Sequence, residues 1–177
     1  HIILAFPNTW FASLTPKGQF TNMQAVTDEV KLILGPNDDP YAPPTTDGEP
    51  NIFGAADVVD LNWVQLMNAY SCTECGRCTA ECPASQTGKK LSPRKIMMDT
   101  RDRLTEVGSL LNRGKEVNAN TLLDNYILRE ELWACTSCNA CVEACPLNID
   151  PLSIIIDLDN LKLAPHRLLR SALGDVL

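Results

Sequence analysis

No stretch of this 177-residue sequence carries the roughly 18 unbroken apolar residues that span a bilayer. The apolar opening from His1 to Phe6 stops at Pro7. No basic segment precedes an apolar one, so a signal peptide is not expected. Also missing is a G-x-G-x-x-G turn, and with it a dinucleotide or flavin fold of the chain's own. The two histidines, His1 and His166, are isolated, and neither has the setting of a ligand. No Ser/His/Asp set and no paired carboxylates point to hydrolysis. Basic residues are few. Fifteen Lys and Arg against 22 Asp and Glu give a net charge of −7 and a pI of about 4.8, which argues against a nucleic-acid surface. The chain opens on His1 rather than methionine, so it reads as a piece of a longer protein or a processed one.

Cysteine is absent from most of the chain and concentrated in two places. Cys72, Cys75, Cys78 and Cys82 are followed by Pro83; Cys135, Cys138, Cys141 and Cys145 are followed by Pro146. Each run is C-x2-C-x2-C-x3-C-P, the spacing by which bacterial-type ferredoxins hold [4Fe–4S] clusters. Three closely spaced thiolates wrap three corners of one cubane, and the fourth cysteine lies too far round and ligates the other cluster. The expected ligand sets are therefore crossed. Cluster I takes Cys72, Cys75, Cys78 and Cys145; cluster II takes Cys135, Cys138, Cys141 and Cys82. Zinc and disulfides explain the pattern less well. Structural zinc sites pair two C-x2-C halves and leave no role for the remaining cysteines, and a disulfide framework expects a short, cysteine-dense chain. Cluster ligands that must stay reduced point to a cytoplasmic or cytoplasm-facing setting. With every cysteine assigned to a cluster, none remains for a catalytic thiol. The chain reads as an electron conduit with no catalytic site of its own, its substrate chemistry lying on a partner or another domain.

Three regions follow from composition. Residues 1–50 form an irregular N-terminal arm and a Pro-rich linker. Phe6, Trp10, Phe11 and Phe20 stand among Pro7, Pro16 and Gly18, either packed on the domain or lying just below a membrane span. Residues 21–34 suit a short helix or a strand, and residues 35–50, with five prolines and four acidic residues, suit an extended linker. Residues 51–164 carry the cluster domain and residues 165–177 a tail. Within the domain a first helix is capped by Asp60 and presents Leu61, Val64, Leu66, Met67 and Tyr70. A second starts at Ser92-Pro93 and runs through Ile96, Met97, Arg101 and Leu104 to stop at Gly108. A third, capped by Asn120 or Thr121, carries Leu122, Leu123, Tyr126, Ile127, Leu128 and Leu132. A fourth starts at Asp150-Pro151 and carries Leu152, Ile155, Ile156, Leu158 and Leu161. The runs are offset by 63 positions in matching contexts, an internal duplication. The 52 residues between Cys82 and Cys135 leave no room for a small β-rich ferredoxin. The fold class is all-α, with cluster loops at helix ends.

The neighbours of the cysteines are read in two ways each. Tyr70 and Trp133 sit two residues before a run and either shield a cluster or pack a helix end. Arg77 stands where the second loop has Ala140, and either raises the potential of cluster I or lies in solvent. Gly76 is expected at a positive φ or at a close approach to a cluster sulfide. Lys89, Lys90, Arg94 and Lys95 form one basic patch, either a dock for an acidic partner or a solvated face. Met97 and Met98 belong to the core and its edge.

At these residues the sequence resembles the iron–sulfur module of heterodisulfide-reductase-like Fe–S oxidoreductases. The likeness is carried by Tyr70-Ser71-Cys72-Thr73-Glu74-Cys75-Gly76-Arg77-Cys78, Thr87-Gly88-Lys89, Leu91-Ser92-Pro93 and Leu132-Trp133-Ala134-Cys135-Thr136-Ser137-Cys138, within residues 53–157. The resemblance implies the α-helical ferredoxin fold, seen also in the iron–sulfur subunits of succinate dehydrogenase, anaerobic glycerol-3-phosphate dehydrogenase and glycolate oxidase. It further implies a cytochrome b-like membrane domain on the N-terminal side and a partner with a CCG-type domain. Such relatives pass electrons between a flavoprotein or an organic-acid dehydrogenase and a quinone at the cytoplasmic face of a membrane. This chain has no Cys-Cys-Gly, so that part lies elsewhere. The alternatives are an iron–sulfur subunit of a soluble flavin-linked organic-acid dehydrogenase and a zinc-bound interaction module.

Overall fold

A computed structural model describes residues 2–12, 17–18, 27, 30–31, 54–117 and 120–160. The expected helix or strand at 21–34 lies mostly outside these residues, and the linker at 35–50 and the tail at 165–177 lie wholly outside. His1 and His166 do so too. Among the described residues the elements are helical. They are α1 (Ile2–Ala12), a 3-10 turn (Val58–Asp60), α2 (Trp63–Ser71), α3 (Arg77–Ala80), α4 (Pro83–Gln86), α5 (Pro93–Asn112), α6 (Arg129–Trp133), α7 (Ala140–Glu143) and α8 (Pro151–Asn160). The all-α expectation holds.

Helix α5 is the beam on which the rest is laid. Ser92 caps it, its Oγ accepting from the Lys95 N–H at 3.3 Å, and Pro93 occupies the first helical position, where the missing N–H costs nothing. Its buried residues, Pro93, Ile96, Met97, Thr100, Arg103 and Val107, recur every three or four positions and so form one face. That face meets α2, α3, α8 and the turn at 122–126, around a core that includes Val58, Ile96, Leu122, Ile127, Leu132, Ile154 and Leu158. The helix does not stop at Gly108. It passes through that glycine, whose lost entropy costs about 1 kcal/mol, runs to Asn112 and is closed by Gly114. There φ is +64°, Gly114 N–H donates to Leu111 C=O and Lys115 N–H to Leu110 C=O, a Schellman closure that needs the left-handed residue.

Three other expectations are corrected. Helix α2 is capped by Asn62 in a reciprocal box with Gln65, while Asp60 closes the preceding 3-10 turn, accepting from Ala56 and Asp57 N–H. The helix expected over 122–132 is broken. Leu123 and Asp124 leave helical conformation, because the Leu122 N–H donates to Asp57 and the Leu123 N–H to Ala56 C=O rather than along the segment. Only Arg129–Trp133 becomes helix. The irregular arm expected at the N-terminus is, over Ile2–Ala12, helix α1 with Pro7 inside it. A proline removes one backbone bond in a helix and crowds the preceding turn; here the Ser71 hydroxyl lies 3.3 Å from Leu4 C=O in that turn, and α1 packs on α2.

One polar hub ties these parts. Arg103 is fully buried and donates to both Asp57 oxygens, with Nη2 2.7 Å from Oδ2 and Nε 3.0 Å from Oδ1. It also donates to Glu106 at 2.8 Å and to Asn120 C=O. Asp57 in turn accepts the N–H groups of Val58 and Leu122. One carboxylate thus joins the 3-10 turn, α5 and the broken segment.

Candidate metal centres

The two cysteine runs take the same path. Helix α2 delivers Cys72 as its C-cap, and α6 ends two residues before Cys135. In the first loop Glu74 and Gly76 have φ of +59° and +81°; in the second, Ser137 and Asn139 have +51° and +63°. Gly76 thus has the positive φ expected of it, and Asn139 is among the few side chains that tolerate one. Backbone alternating in this way turns successive N–H groups toward one side, the nest arrangement of anion and iron–sulfur sites. Short helices then follow at equivalent positions, α3 and α7, each carrying the third cysteine. After the proline the copies diverge: Pro83 opens α4, whereas Asn148 turns left-handed at φ +59°.

The folding of these loops brings four sulfurs to each of two hollows. Cys72, Cys75, Cys78 and Cys145 line one, which we term cavity I, along with Glu74, Gly76, Arg94, Met97, Ile149 and Pro151 among others. Cys82, Cys135, Cys138 and Cys141 line cavity II, along with Leu91, Pro93, Leu152 and Ile155 among others. The atom-free space, counting what opens to solvent, is about 370 and 320 Å³ respectively. The cavities are neighbours, since α3 packs on α7 and Cys78 lies against the small cluster that holds Cys141.

The donor set fits an iron–sulfur group. No disulfide joins the eight cysteines. Burial raises the thiol pKa of Cys72, Cys78 and Cys135, and the charges of neighbouring cysteines raise it further. Cys141 is pushed up to about 12, by burial first and then by Cys135, Cys78, Cys82 and Asp150. Thiolates gathered in one cavity wall, most of them partly or fully buried, therefore need a cationic centre between them. The backbone works the other way: N–H groups of Glu74 and Ser137 bond Cys72 and Cys135 and favour their thiolates. The Ile149 N–H lies 3.4 Å from Cys145 Sγ. Among the described residues no three of His, Cys, Asp and Glu are set to hold a single metal ion.

Of the other residues singled out in the sequence, Tyr70 and Trp133 line neither cavity. The Tyr70 hydroxyl is 3.0 Å from Thr105 Oγ1, and Trp133 is 75% exposed. The basic patch is half neutralised, Lys90 by Glu130 at 2.7 Å and Lys95 by Asp99 and Glu131 at 2.8 and 2.9 Å. Arg77 is exposed. Sequence reasoning missed a latch on the second loop. Asn139 Nδ2 donates to Gly18 C=O at 3.0 Å and Gly18 N–H donates to Asp150 at 3.0 Å, so the N-terminal segment reaches cavity II. The Gly-Asn pairing across 121 residues leaves no local signal.

Comparison with known proteins bears on the same residues. The family model for the 4Fe-4S dicluster domain matches residues 71–149. The chain is 34% identical to the probable iron-sulfur-binding oxidoreductase FadF of Bacillus subtilis, the match covering 64% of this chain and 20% of that protein. It is 30% identical to the EtfAB:quinone oxidoreductase of Syntrophomonas wolfei, over 62% of this chain and 18% of that protein. It is 32% identical to one of the subunits of the ferredoxin/F(420)H(2)-dependent CoB-CoM heterodisulfide reductase of Methanosarcina acetivorans, over 57% of this chain and 54% of that polypeptide. The chain thus spans about a fifth of the first two relatives and about half of the third. No solved structure matches it significantly.

Proposed function

We propose that the chain, whose residues 71–149 match the 4Fe-4S dicluster domain model, is the electron-transfer module of a membrane-associated, heterodisulfide-reductase-like oxidoreductase. Its ligand sets are crossed between the two runs, with Cys145 completing the first set and Cys82 the second. The observation that carries this reading is the composition of the cavity walls, each with three cysteines of one run and the fourth of the other. When bound, each cluster supplies a one-electron couple. The chain's own residues hold the sulfurs at loop ends, donate N–H groups to them and surround them with Met97, Ile149, Leu152 and Ile155, which limit water and lower the local dielectric. The partners in this reading are a flavoprotein or a CCG-domain subunit on one side and a membrane cytochrome b domain with quinone on the other.

The membrane part rests on α1. Its eleven residues carry no charge, and Ile3, Phe6 and Trp10, three or four positions apart and hence on one face, are 85, 78 and 74% exposed. Among the described residues no helix is long and apolar enough to cross a membrane, so α1 serves as a surface for apolar surroundings. A quinone, the substrate in the name of the Syntrophomonas relative, is soluble in lipid. Thiolate ligands favour the cytoplasmic face.

The crossed sets are tested by Cys145→Ser on anaerobically prepared protein, read by iron content and by the electron paramagnetic resonance of the reduced chain. The signal it alters is expected to be the one altered by Cys72→Ser. If it is instead the signal altered by Cys135→Ser, the ligands are not crossed.

A further inference from the structure

The two cavities are built alike but charged differently. Each takes the first-turn proline of one long helix and two residues of the other. Cavity I has Pro151 from α8 with Arg94 and Met97 from α5; cavity II has Pro93 from α5 with Leu152 and Ile155 from α8. Counting from the prolines, Arg94 is the counterpart of Leu152, and Met97 of Ile155. A cation thus stands on one side where the other side has a leucine. The guanidinium lies against the loop that carries the cysteines: a Cβ built on Gly76 would be 3.8 Å from Arg94 Nη1. Among the described residues no carboxylate pairs with Arg94.

The other charges at the two walls do not offset this cation. Glu74 also lines cavity I, but its carboxylate is paired with Arg101 at 2.6 Å. Among the described residues cavity II has no charged residue in its wall. Reduction adds one negative charge to a cluster, so an adjacent unpaired cation stabilises the reduced form.

We propose that Arg94 sets the two centres apart in potential, holding the couple in cavity I above that in cavity II. The first electron delivered to the chain then settles in cavity I. This rests on the two-cluster, crossed-ligand reading above. Arg94 acts as a positioning charge. It is exposed, so water screens it, and its removal is expected to change the partition of that electron by about tenfold, the equivalent of about 59 mV for a one-electron couple.

The test is an anaerobic redox titration with dithionite, each equivalent supplying its electrons to the chain, followed by electron paramagnetic resonance on wild type, Arg94→Gln and Arg94→Lys. Cys75→Ser and Cys138→Ser identify which signal belongs to which cavity. Wild type is expected to reduce in cavity I first. Arg94→Gln is expected to lower that couple by the stated amount with the other little changed, and Arg94→Lys to keep most of the gap. A wild type that reduces first in cavity II, an Arg94→Gln variant with an unchanged gap, or one in which both couples move together would overturn the proposal. A wild type lacking two reducible clusters would instead overturn the reading it rests on, and the iron content shows which has failed.

Discussion

At the scale of single residues, what matters is the conformation in which each cysteine is delivered. Two left-handed residues in each loop place the sulfurs, and the second loop holds its Asn139 by a bond to a glycine far away in sequence. Gly18 has φ +61°, and a Cβ there would lie 2.6 Å from Asn139 Oδ1. Gly18→Ala must therefore both strain the backbone and push Asn139 away. It is expected to destabilise the folded chain by about 1–3 kcal/mol, measured by urea unfolding under anaerobic conditions. It is also expected to speed iron loss from the centre that Cys138→Ser disturbs. Equal release from both centres would argue against a latch local to cavity II.

At the scale of elements, the segments around the loops are held by the Asp57–Arg103 hub. Removing one partner of a buried pair leaves the other uncompensated, so Arg103→Ala is expected to cost about 3–5 kcal/mol. Lys90→Ala, which opens the exposed pair with Glu130, is expected to leave the unfolding midpoint where it was. Helix α1 gives a second element-scale prediction. Replacing Ile3, Phe6 and Trp10 together by serine is expected to abolish co-sedimentation with phosphatidylcholine vesicles while leaving the iron content intact. Retained binding would place the membrane contact elsewhere. The elements differ in how far they are legible in the sequence. Ser92-Pro93 and Asp150-Pro151 mark helix starts because a cap and a first-turn proline act within four residues. The cysteine runs are legible for the same reason. The break at Leu123 and Asp124 is not, because the groups that draw the backbone away, Asp57 and Ala56, lie more than sixty positions earlier. Periodicity puts Arg101 on the apolar face, yet it is Arg103 that is buried; a carboxylate that neutralises it cannot be seen from helical spacing. The helix at α1 is hidden by Pro7, whose effect is offset by packing on α2. In the sequence Arg94 is one member of a basic patch, and only the fold sets it beside cavity I while Lys90 and Lys95 find carboxylates.

At the scale of the whole molecule, a duplicated device has been folded so that each half completes the other. In the proposed ligand sets the exchanged fourth cysteine makes the stability of the two centres mutual, so that loss of one is expected to weaken the other. In a chain of net charge −7, cavity I alone among the two has, among the described residues, an unpaired cation at its wall, which gives the conduit a preferred seat for an electron. The central claim is that this fold carries two [4Fe–4S] clusters, and the most direct test is iron, acid-labile sulfide and zinc per chain on anaerobically prepared protein. The account predicts about eight iron and about eight sulfide, the content of two cubanes; zinc without sulfide, or about four iron with four sulfide, would contradict it.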